Sequence, residues 1–322
     1  MKETKKKCKI LILSWELYPV YAGGLGVLVD SLVKELLLQD IEVTVLLPHK
    51  YPEQKPYIIS IEQQMKKYHQ KKSTVKNLSF PIDSFNMSHS KKHRNTWPQL
   101  FSKKESITEE KKNLDKKVYP EHTPALTKAY AFAAADYIEK NSHFDLILGM
   151  DWMSIPTFQQ LKNLNITIPF AFYVNSTEYD RSLMNDHKSK VSETIEELES
   201  QYFKQSNFII AVSQSTEKTL LNHFGIDKNK CIVVNNGITF TPLKSETETW
   251  IGDKNVLFLG RFAPQKGLHF LLDTAEKVIA MDPEVKFMLA GDGELMPEVV
   301  ENVIERGLER SCIFTGWLEE DV

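Results

Sequence analysis

Residues 255–272 read NVLFLGRFAPQKGLHFLL, an apolar run followed by a turn and the start of an amphipathic segment. The pattern predicts a strand over residues 256–260 and a helix over residues 266–280. Arg261 and Lys266 are five positions apart across the turn, so both cations can converge at the N-terminus of the helix. Arginine would hold a diphosphate there bidentately, and lysine would act as a point charge. The alternative is a solvated surface pair, but the glycine on each side and the strand–turn–helix context favour an anion site.

The same alternation of short apolar runs and amphipathic segments covers most of the chain and is typical of an α/β protein with a parallel sheet. The other predicted strands are Ile10–Ser14, Glu42–Leu47, Asp145–Leu148, Ile168–Val174, Phe208–Val212, Cys231–Val234, Lys286–Ala290 and Cys312–Thr315. The other predicted helices are Leu25–Leu38, Pro124–Lys140, Ser189–Gln205, Gln214–His223 and Met296–Arg306.

The length of 322 residues, 42% of them hydrophobic, is enough for two domains at about 100 to 200 residues each. We predict a first domain over residues 1–240, a linker over residues 241–253 and a second domain over residues 254–322. A polar stretch over residues 51–117 interrupts the first domain and is interpreted as a long insertion. Residues 50–117 carry 16 Lys/Arg and 7 Asp/Glu, so this insertion is basic. It is either a solvated surface or a contact for an anionic glycan or a partner protein.

The overall composition gives no reason to expect a nucleic-acid or membrane partner. Lys and Arg number 40 and Asp and Glu number 43, for a formal net charge of −3. The apolar run over residues 10–15 is too short for a signal peptide, and no stretch of about 18 apolar residues could span a membrane. The three cysteines form no CxxC pair, which favours a reduced protein. We therefore predict a cytoplasmic location.

Two further turns are rich in glycine, although glycine is scarce at 13 residues. The segment SWELYPVYAGGLG, residues 14–26, places Gly23 and Gly24 before a helix whose N-terminus favours an anion such as phosphate. It lacks the G-x-G-x-x-G dinucleotide fingerprint, and a glycine turn without a ligand is the alternative. Gly291 and Gly293 follow another strand and would leave room for a nucleotide, although a tight strand-to-helix turn alone can also use these glycines.

Five segments of the chain together carry a resemblance to a known family. They are Gly23-Gly24-Leu25-Gly26, Asp151-Trp152, Ser176-Thr177-Glu178, Asn236-Gly237 and GRFAPQKG at residues 260–267. In combination they resemble the retaining glycosyltransferases of families 4 and 5, the GT-B group that includes glycogen synthases and starch synthases. The resemblance implies two Rossmann-like, doubly wound parallel-sheet domains that face a cleft. In this family the first domain mainly holds the acceptor, and the second holds a nucleotide-sugar.

The resemblance also implies roles for individual residues. Arg261 and Lys266 would be the catalytic residues that neutralise the donor diphosphate. The remaining substrate-binding residues implied are Gly23, Gly24, Asp151, Asn175, Glu178, Gly291 and Gly293. Because two cations can balance the charge of the leaving group, we expect no metal and no cofactor apart from the nucleotide diphosphate sugar. The sequence has no H-E-x-x-H motif and no tight acidic cluster that would indicate a metal.

Three features depart from the family pattern. The family commonly has two histidines before the aspartate of its Asp-Trp motif, whereas this chain reads Leu148-Gly149-Met150-Asp151-Trp152. It also has Asn175 where the family has a histidine. Asparagine can still form hydrogen bonds, but Met150 cannot donate one. Residues 256–315 provide three predicted strands, half of a roughly six-stranded doubly wound sheet. The two glutamates seven residues apart that the family has in the rest of this domain are not found after Gly316. We therefore expect a second domain that is truncated.

The sequence predicts a glycogen synthase-like or starch synthase-like enzyme. It would transfer a hexosyl unit, of which glucosyl is the favoured example, from a nucleotide diphosphate sugar to a glycan acceptor with retention. A family 4 transferase with a lipid or small-molecule acceptor is one alternative. A degenerate domain that binds glycan, nucleotide or a partner subunit without transfer is the other, and it is motivated by Met150, Asn175 and the short second domain.

Overall fold

A computed structural model describes residues 7–20, 24–70, 123–141, 143–183, 189–237 and 254–318. The chain divides into two compact units. Of the described residues, those up to 237 belong to unit 1 and those from 254 onward belong to unit 2. Each unit contains a parallel sheet of its own, so each is an α/β fold by itself.

Among the described residues of unit 1, seven strands form one sheet. They are β1 (Lys9–Leu13), β2 (Glu42–Leu47), β3 (Ile58–Ser60), β4 (Leu146–Met150), β5 (Phe170–Val174), β6 (Phe208–Ala211) and β7 (Cys231–Val233). Their order is β3-β2-β1-β4-β5-β6-β7, and all neighbours are parallel. The order reverses at β1, which has β2 on one side and β4 on the other. In sheets of this kind, ligands bind outside the carboxyl ends of the strands at such a switch point.

Helices cover both faces of this sheet. They are α1 (Gly24–Leu38), α2 (Glu62–Gln70), α3 (Thr123–Lys140), α4 (Ile155–Asn163), α5 (Glu178–Ser182), α6 (Lys190–Tyr202) and α7 (Gln214–Asn222). On one face, Ile12 of β1 and Tyr173 of β5 share a core with Val33 of α1. Because successive strand residues point to opposite faces, Phe172 lies on the other face, where its ring centroid is 5.4 Å from that of Phe158 in α4. The sheet is therefore doubly wound.

Unit 2 repeats the strand–helix alternation on a smaller scale. Its described elements are β8 (Asn255–Leu259), α8 (Leu268–Met281), β9 (Lys286–Ala290), α9 (Met296–Glu305) and β10 (Cys312–Gly316). The strands are parallel in the order β10-β9-β8. Phe262, Leu272, Phe287 and Val299 are buried in its core. The carboxyl ends of β8 and β9 therefore lie side by side, each followed by a turn and a helix.

The predicted fold class is confirmed, and each of the nine predicted strands is present with small shifts of its ends. The strand β3 and the helix α2 were not predicted, and they form the first part of the segment interpreted as an insertion. β3 has only three half-buried or exposed residues, too few for a periodic signal. Ile61 and Met65 are nevertheless fully buried, so residues 58–70 extend the fold of unit 1. The rest of the predicted insertion, residues 71–117, and the predicted linker lie outside the described residues.

The helix α4 was also missed. It has nine residues and carries a proline in its first turn, a position where proline is tolerated because the N–H is not needed there. The predicted helix over residues 189–205 ends as α6 at Tyr202 and continues as a 3₁₀ turn over Phe203–Gln205. These differences leave the positions of the candidate site residues unchanged.

Candidate functional site

The turn after β8 combines two exposed cationic side chains with two buried residues. Phe262 and Ala263 are fully buried, whereas Arg261 and Lys266 are exposed. A 3₁₀ turn over Pro264–Lys266 leads to Gly267, whose φ of 65° allows the chain to enter α8. Within the described residues, neither Arg261 nor Lys266 forms an ion pair. The predicted strand–turn–helix geometry is thus present, and the charge of both side chains remains available to an anion.

The turn after β9 packs directly against this first turn. The N–H of Phe262 donates to the carbonyl of Asp292 at 2.8 Å, and the N–H of Leu295 donates to the carbonyl of Phe262 at 3.0 Å. A Cβ on Gly291 would lie 1.9 Å from the carbonyl oxygen of Gly260, and one on Gly293 would lie 2.5 Å from that of Phe262. The close contact between the two turns therefore excludes a side chain at both glycines.

Glu294 is a further acidic group beside this cationic turn. Its Oε1 is buried and has no hydrogen-bond partner among the described residues. Burial raises the pKa of Glu294, and the charge of Arg261 acts in the opposite direction. A buried oxygen without a donor is costly, and the nearby guanidinium offsets part of that cost. Glu294 directly follows Gly291-Asp292-Gly293, and the sequence pattern assigned it no role of its own.

The predicted phosphate-binding turn of unit 1 is described only in part. Gly24 is the first residue of α1, is exposed, and would have open space around an added Cβ. Packing within the described residues therefore does not require a glycine at this position. Gly23 lies outside the described residues, so its predicted role stays a prediction.

Asp151 and Asn175 form a hydrogen-bonded pair at the carboxyl ends of β4 and β5. The backbone N–H of Asn175 donates to Oδ1 of Asp151 at 2.7 Å, and its side-chain nitrogen lies 3.3 and 3.4 Å from the two carboxyl oxygens. Burial raises the pKa of Asp151, and the charge of Arg181 is the largest influence that lowers it. The structure thus brings together two residues that the sequence analysis placed at the site separately.

Two residues that the sequence analysis did not assign extend this pair. Asn236, which follows β7, donates from Nδ2 to Oδ1 of Asn175 at 3.3 Å. The hydroxyl of Tyr173 in turn donates to Oδ1 of Asn236 at 2.9 Å. A continuous series of hydrogen bonds therefore runs from Tyr173 through two amides to the carboxylate of Asp151. This series lies at the sheet edge where ligands of doubly wound folds bind.

The structure shows the surroundings of two further motif residues. Glu178 is only 4% exposed, and its carboxylate accepts hydrogen bonds from Arg181 and Ser192. Its role in binding substrate stays a prediction. Met150, considered as a lost hydrogen-bond donor, is 1% exposed and belongs to the apolar core with Leu148 and Tyr173. Because successive residues of β4 point to opposite faces of the sheet, Met150 lies on the same face as Leu148, and its side chain is directed into that core.

The backbone of Asp151 is strained, and this leads to a testable expectation. Its φ of 51° and ψ of −168° lie in a region that residues with a Cβ rarely adopt. Asp151→Gly and Asp151→Ala both remove the carboxylate, but only glycine relieves the strain. We expect the glycine variant to be the more stable of the two by about 1 to 3 kcal/mol, as measured by urea unfolding followed by circular dichroism.

The exposed residue Lys218 in the middle of α7 provides the matched control. There the order should be reversed, because alanine is the better helix former by about 1 kcal/mol. An alanine variant at position 151 as stable as the glycine variant would contradict strain at Asp151.

Glu199 gives a prediction of pH dependence. It is fully buried in α6, and burial raises its pKa to about 8, against 4.5 for an ordinary glutamate. The folded state therefore holds this proton more tightly than the unfolded state. Its stabilising effect is complete below pH 4.5 and is lost as the pH rises through about 8. We expect Glu199→Gln to flatten the decline in the free energy of unfolding between these limits.

The measurement is urea unfolding of both proteins at pH 5, 6, 7 and 8. Glu197→Gln, at an exposed position of the same helix, is the control and should follow the wild type. Parallel pH profiles of wild type and Glu199→Gln would show that Glu199 does not hold its proton in the folded state.

Comparisons with known proteins agree with the fold. A family model described as the starch synthase catalytic domain matches residues 9–229, and one described as glycosyl transferases group 1 matches residues 253–322. The two parallel-sheet units and the family matches define a glycosyltransferase of the GT-B type. More specifically, the chain belongs to the family of starch synthase catalytic domains.

One curated relative is an uncharacterized glycosyltransferase of Methanocaldococcus jannaschii, 26% identical over 194 residues. The match covers 55% of this chain and 48% of that protein, so this chain spans about half the length of that relative. Sucrose-phosphate synthase from Thermosynechococcus elongatus has a similar structure, with a TM-score of 0.65 and 17% identity over 97% of this chain and 71% of that one. A TarM mutant of S. aureus in complex with UDP has a TM-score of 0.60 and 14% identity over 97% of this chain and 78% of that one.

A separate finding concerns membranes. Among the described residues, no helix is both long and apolar enough to cross a bilayer.

Proposed function

We propose that the protein is a retaining hexosyltransferase of the glycogen synthase or starch synthase type. It transfers a sugar, with glucose favoured, from a nucleotide diphosphate sugar to a glycan acceptor. The observation that carries the proposal is the turn with Arg261 and Lys266, supported on buried Phe262 and tightly packed against Gly291 and Gly293.

The chemistry explains why two exposed cations on a rigid turn suit this reaction. Breaking the bond between the anomeric carbon and the diphosphate leaves negative charge on the departing oxygen. Arg261 and Lys266 stabilise this charge, and because their turn is already fixed, little reorganisation is needed during the reaction. Cations of the chain can thus replace a metal ion, and retention follows if the acceptor attacks from the face that the diphosphate leaves. No carboxylate nucleophile is assigned in this proposal.

Asp151 and Asn175 are proposed to bind the donor sugar from unit 1. The Asn175 amide is held by Asp151 and Asn236, and an oriented amide can both donate to and accept from a sugar hydroxyl. The burial of Met150 is consistent with sugar binding by Asp151 and Asn175 alone, because the side chain at position 150 belongs to the core rather than to a polar site.

The experiment is a transfer assay with purified protein, maltooligosaccharide acceptors, and UDP-glucose, ADP-glucose or GDP-mannose as donors. Release of nucleoside diphosphate measures turnover, and NMR of the new glycosidic bond reports its anomeric configuration. UDP-glucose is tested first, since a protein of similar fold was solved with UDP. Absence of both turnover and nucleotide-sugar binding for every donor would exclude the proposal.

Asn175 at a position where the family has histidine favours a second candidate, a protein that binds a nucleotide-sugar or glycan without transferring it. Binding of a donor without turnover would support this candidate, in particular if Asn175→His produced no gain. Acceptor profiling with lipid and small-molecule acceptors separates a family 4 activity from glycan extension.

A further inference from the structure

Arg181 connects three groups around the turn that carries Asn175. From the end of α5, its Nη1 donates to the carbonyl oxygen of Ser176 at 2.7 Å. Its Nε donates to Oε2 of Glu178 at 2.9 Å, and its Nη2 donates to Oε1 of Glu199 at 3.2 Å. The Arg181 side chain is only 12% exposed. The guanidinium is therefore fixed by acceptors from the turn, from α5 and from α6.

The side chains of Glu178 and Glu199, which accept from Arg181, are themselves held by further hydrogen bonds. The hydroxyl of Ser192 in α6 donates to Oε1 of Glu178, and the backbone N–H of Glu178 donates to Oε2 of Glu199 at 2.8 Å. Thr177 caps α5 through a reciprocal capping box with Asp180. The short helix α5 and the turn before it are thus held against α6 by these hydrogen bonds.

We propose that Arg181 is a positioning residue for the Asp151–Asn175 pair. It holds the turn through the carbonyl of Ser176, immediately after Asn175, and its positive charge lies close to the carboxylate of Asp151. The inference rests on the proposed function in one respect, namely that this pair contacts the donor sugar.

The charges around Asp151 support this role. Arg181 favours its ionised form, whereas burial favours the protonated form. Within the described part of the chain, the charge of Asp151 also raises the pKa values of Glu199 in α6 and Tyr173 in β5. An ionised Asp151 accepts from both N–H groups of Asn175 with both oxygens free, whereas a protonated carboxyl has one oxygen carrying hydrogen. Removing Arg181 therefore leaves Asn175 with a weaker and less defined acceptor.

The test compares Arg181→Met and Arg181→Lys with Arg306→Met. Arg306 is a matched control, since it belongs to unit 2 and its ion-pair partners among the described residues, Asp273 and Glu276, are exposed. Two quantities are measured by NMR on the full chain: hydrogen exchange at the Asn175 amide and the titration of the Asp151 carboxyl carbon. Neither measurement depends on turnover.

We expect Arg181→Met to speed exchange at Asn175 about ten-fold or more, because a buried hydrogen bond to a charged group is lost. The Asp151 titration should move upward by about one pH unit, because an opposite charge is removed. Arg181→Lys keeps the charge but not the planar fork, so exchange should rise while the titration stays close to that of the wild type. Arg306→Met should change neither quantity.

Unchanged exchange at Asn175 in both Arg181 variants would overturn the inference, and so would an Asp151 titration that is the same in Arg181→Met and in the wild type. If Arg181→Met does not fold, exchange in Arg181→Lys decides the matter. The expected shifts in a protein that binds no nucleotide-sugar would leave Arg181 as a positioning residue and exclude only the proposed function.

Discussion

Replacing Arg261 or Lys266 with alanine is expected to lower kcat by about 10²- to 10³-fold, the cost of removing one preorganised group that stabilises transition-state charge. Both side chains are exposed and within the described residues lack ion pairs. Their removal therefore should leave the free energy of unfolding almost unchanged. The measurement is steady-state release of nucleoside diphosphate from the donor that the wild type uses.

Graded variants separate charge from geometry. Arg261→Lys keeps the charge but loses bidentate binding, so its kcat should lie between those of the wild type and Arg261→Ala. Lys277→Ala, at an exposed position of α8 in the same unit, is the control and should retain wild-type kcat. If Arg261→Ala and Lys266→Ala turned over the donor like Lys277→Ala, these cations would have no part in stabilising the leaving group.

The residues around Arg261 show what could be predicted from sequence. The turn over residues 260–267 is encoded locally by its glycines and proline, and it was predicted correctly. Why glycine is needed at positions 291 and 293 could not be predicted from the sequence. The need arises from contacts with Gly260 and Phe262, about thirty positions earlier in the chain. The sequence identified these glycines but could not show that packing between two turns requires them.

The polar cluster of unit 1 shows the same limit. Asp151 and Asn175 were selected from motifs, but Asn236 approaches Asn175 only because the sheet places β5 and β7 at the same edge. Glu178 was assigned a ligand-binding role from its motif, and the motif could not show that its carboxylate accepts a hydrogen bond from Ser192, 14 residues away. The burial of Met150 could have been predicted from the sequence, since Met150 is two positions after Leu148 and therefore lies on the same face of the strand.

Gly291→Ala is expected to destabilise unit 2 by more than about 4 kcal/mol, a size that requires a specific steric cause. The φ of Gly291 is 131°, and an added Cβ would lie 1.9 Å from the carbonyl oxygen and 2.9 Å from the carbonyl carbon of Gly260. These atoms belong to the backbone and cannot turn aside as a side chain would. The N–H of Gly260 donates to Ala290 at 3.0 Å, and that of Gly291 donates to Gly316 at 2.8 Å, so relief of the clash breaks contacts of β8 or β10.

Hydrogen exchange at the amides of β8 and β9 measures this loss within unit 2 itself. Two glycines of the same unit provide graded controls. Gly307→Ala has a φ of 68° but open space around the new Cβ, so it should cost only about 1 to 2 kcal/mol for the left-handed backbone. Gly260→Ala would place its Cβ 3.6 Å from the ring of Phe258, an ordinary contact, and should be the mildest of the three. If exchange in Gly291→Ala were no faster than in Gly260→Ala, the two turns would not pack as closely as the 1.9 Å distance from the added Cβ to the Gly260 oxygen implies. Rigid support of the turn could then no longer explain the role of Arg261 and Lys266.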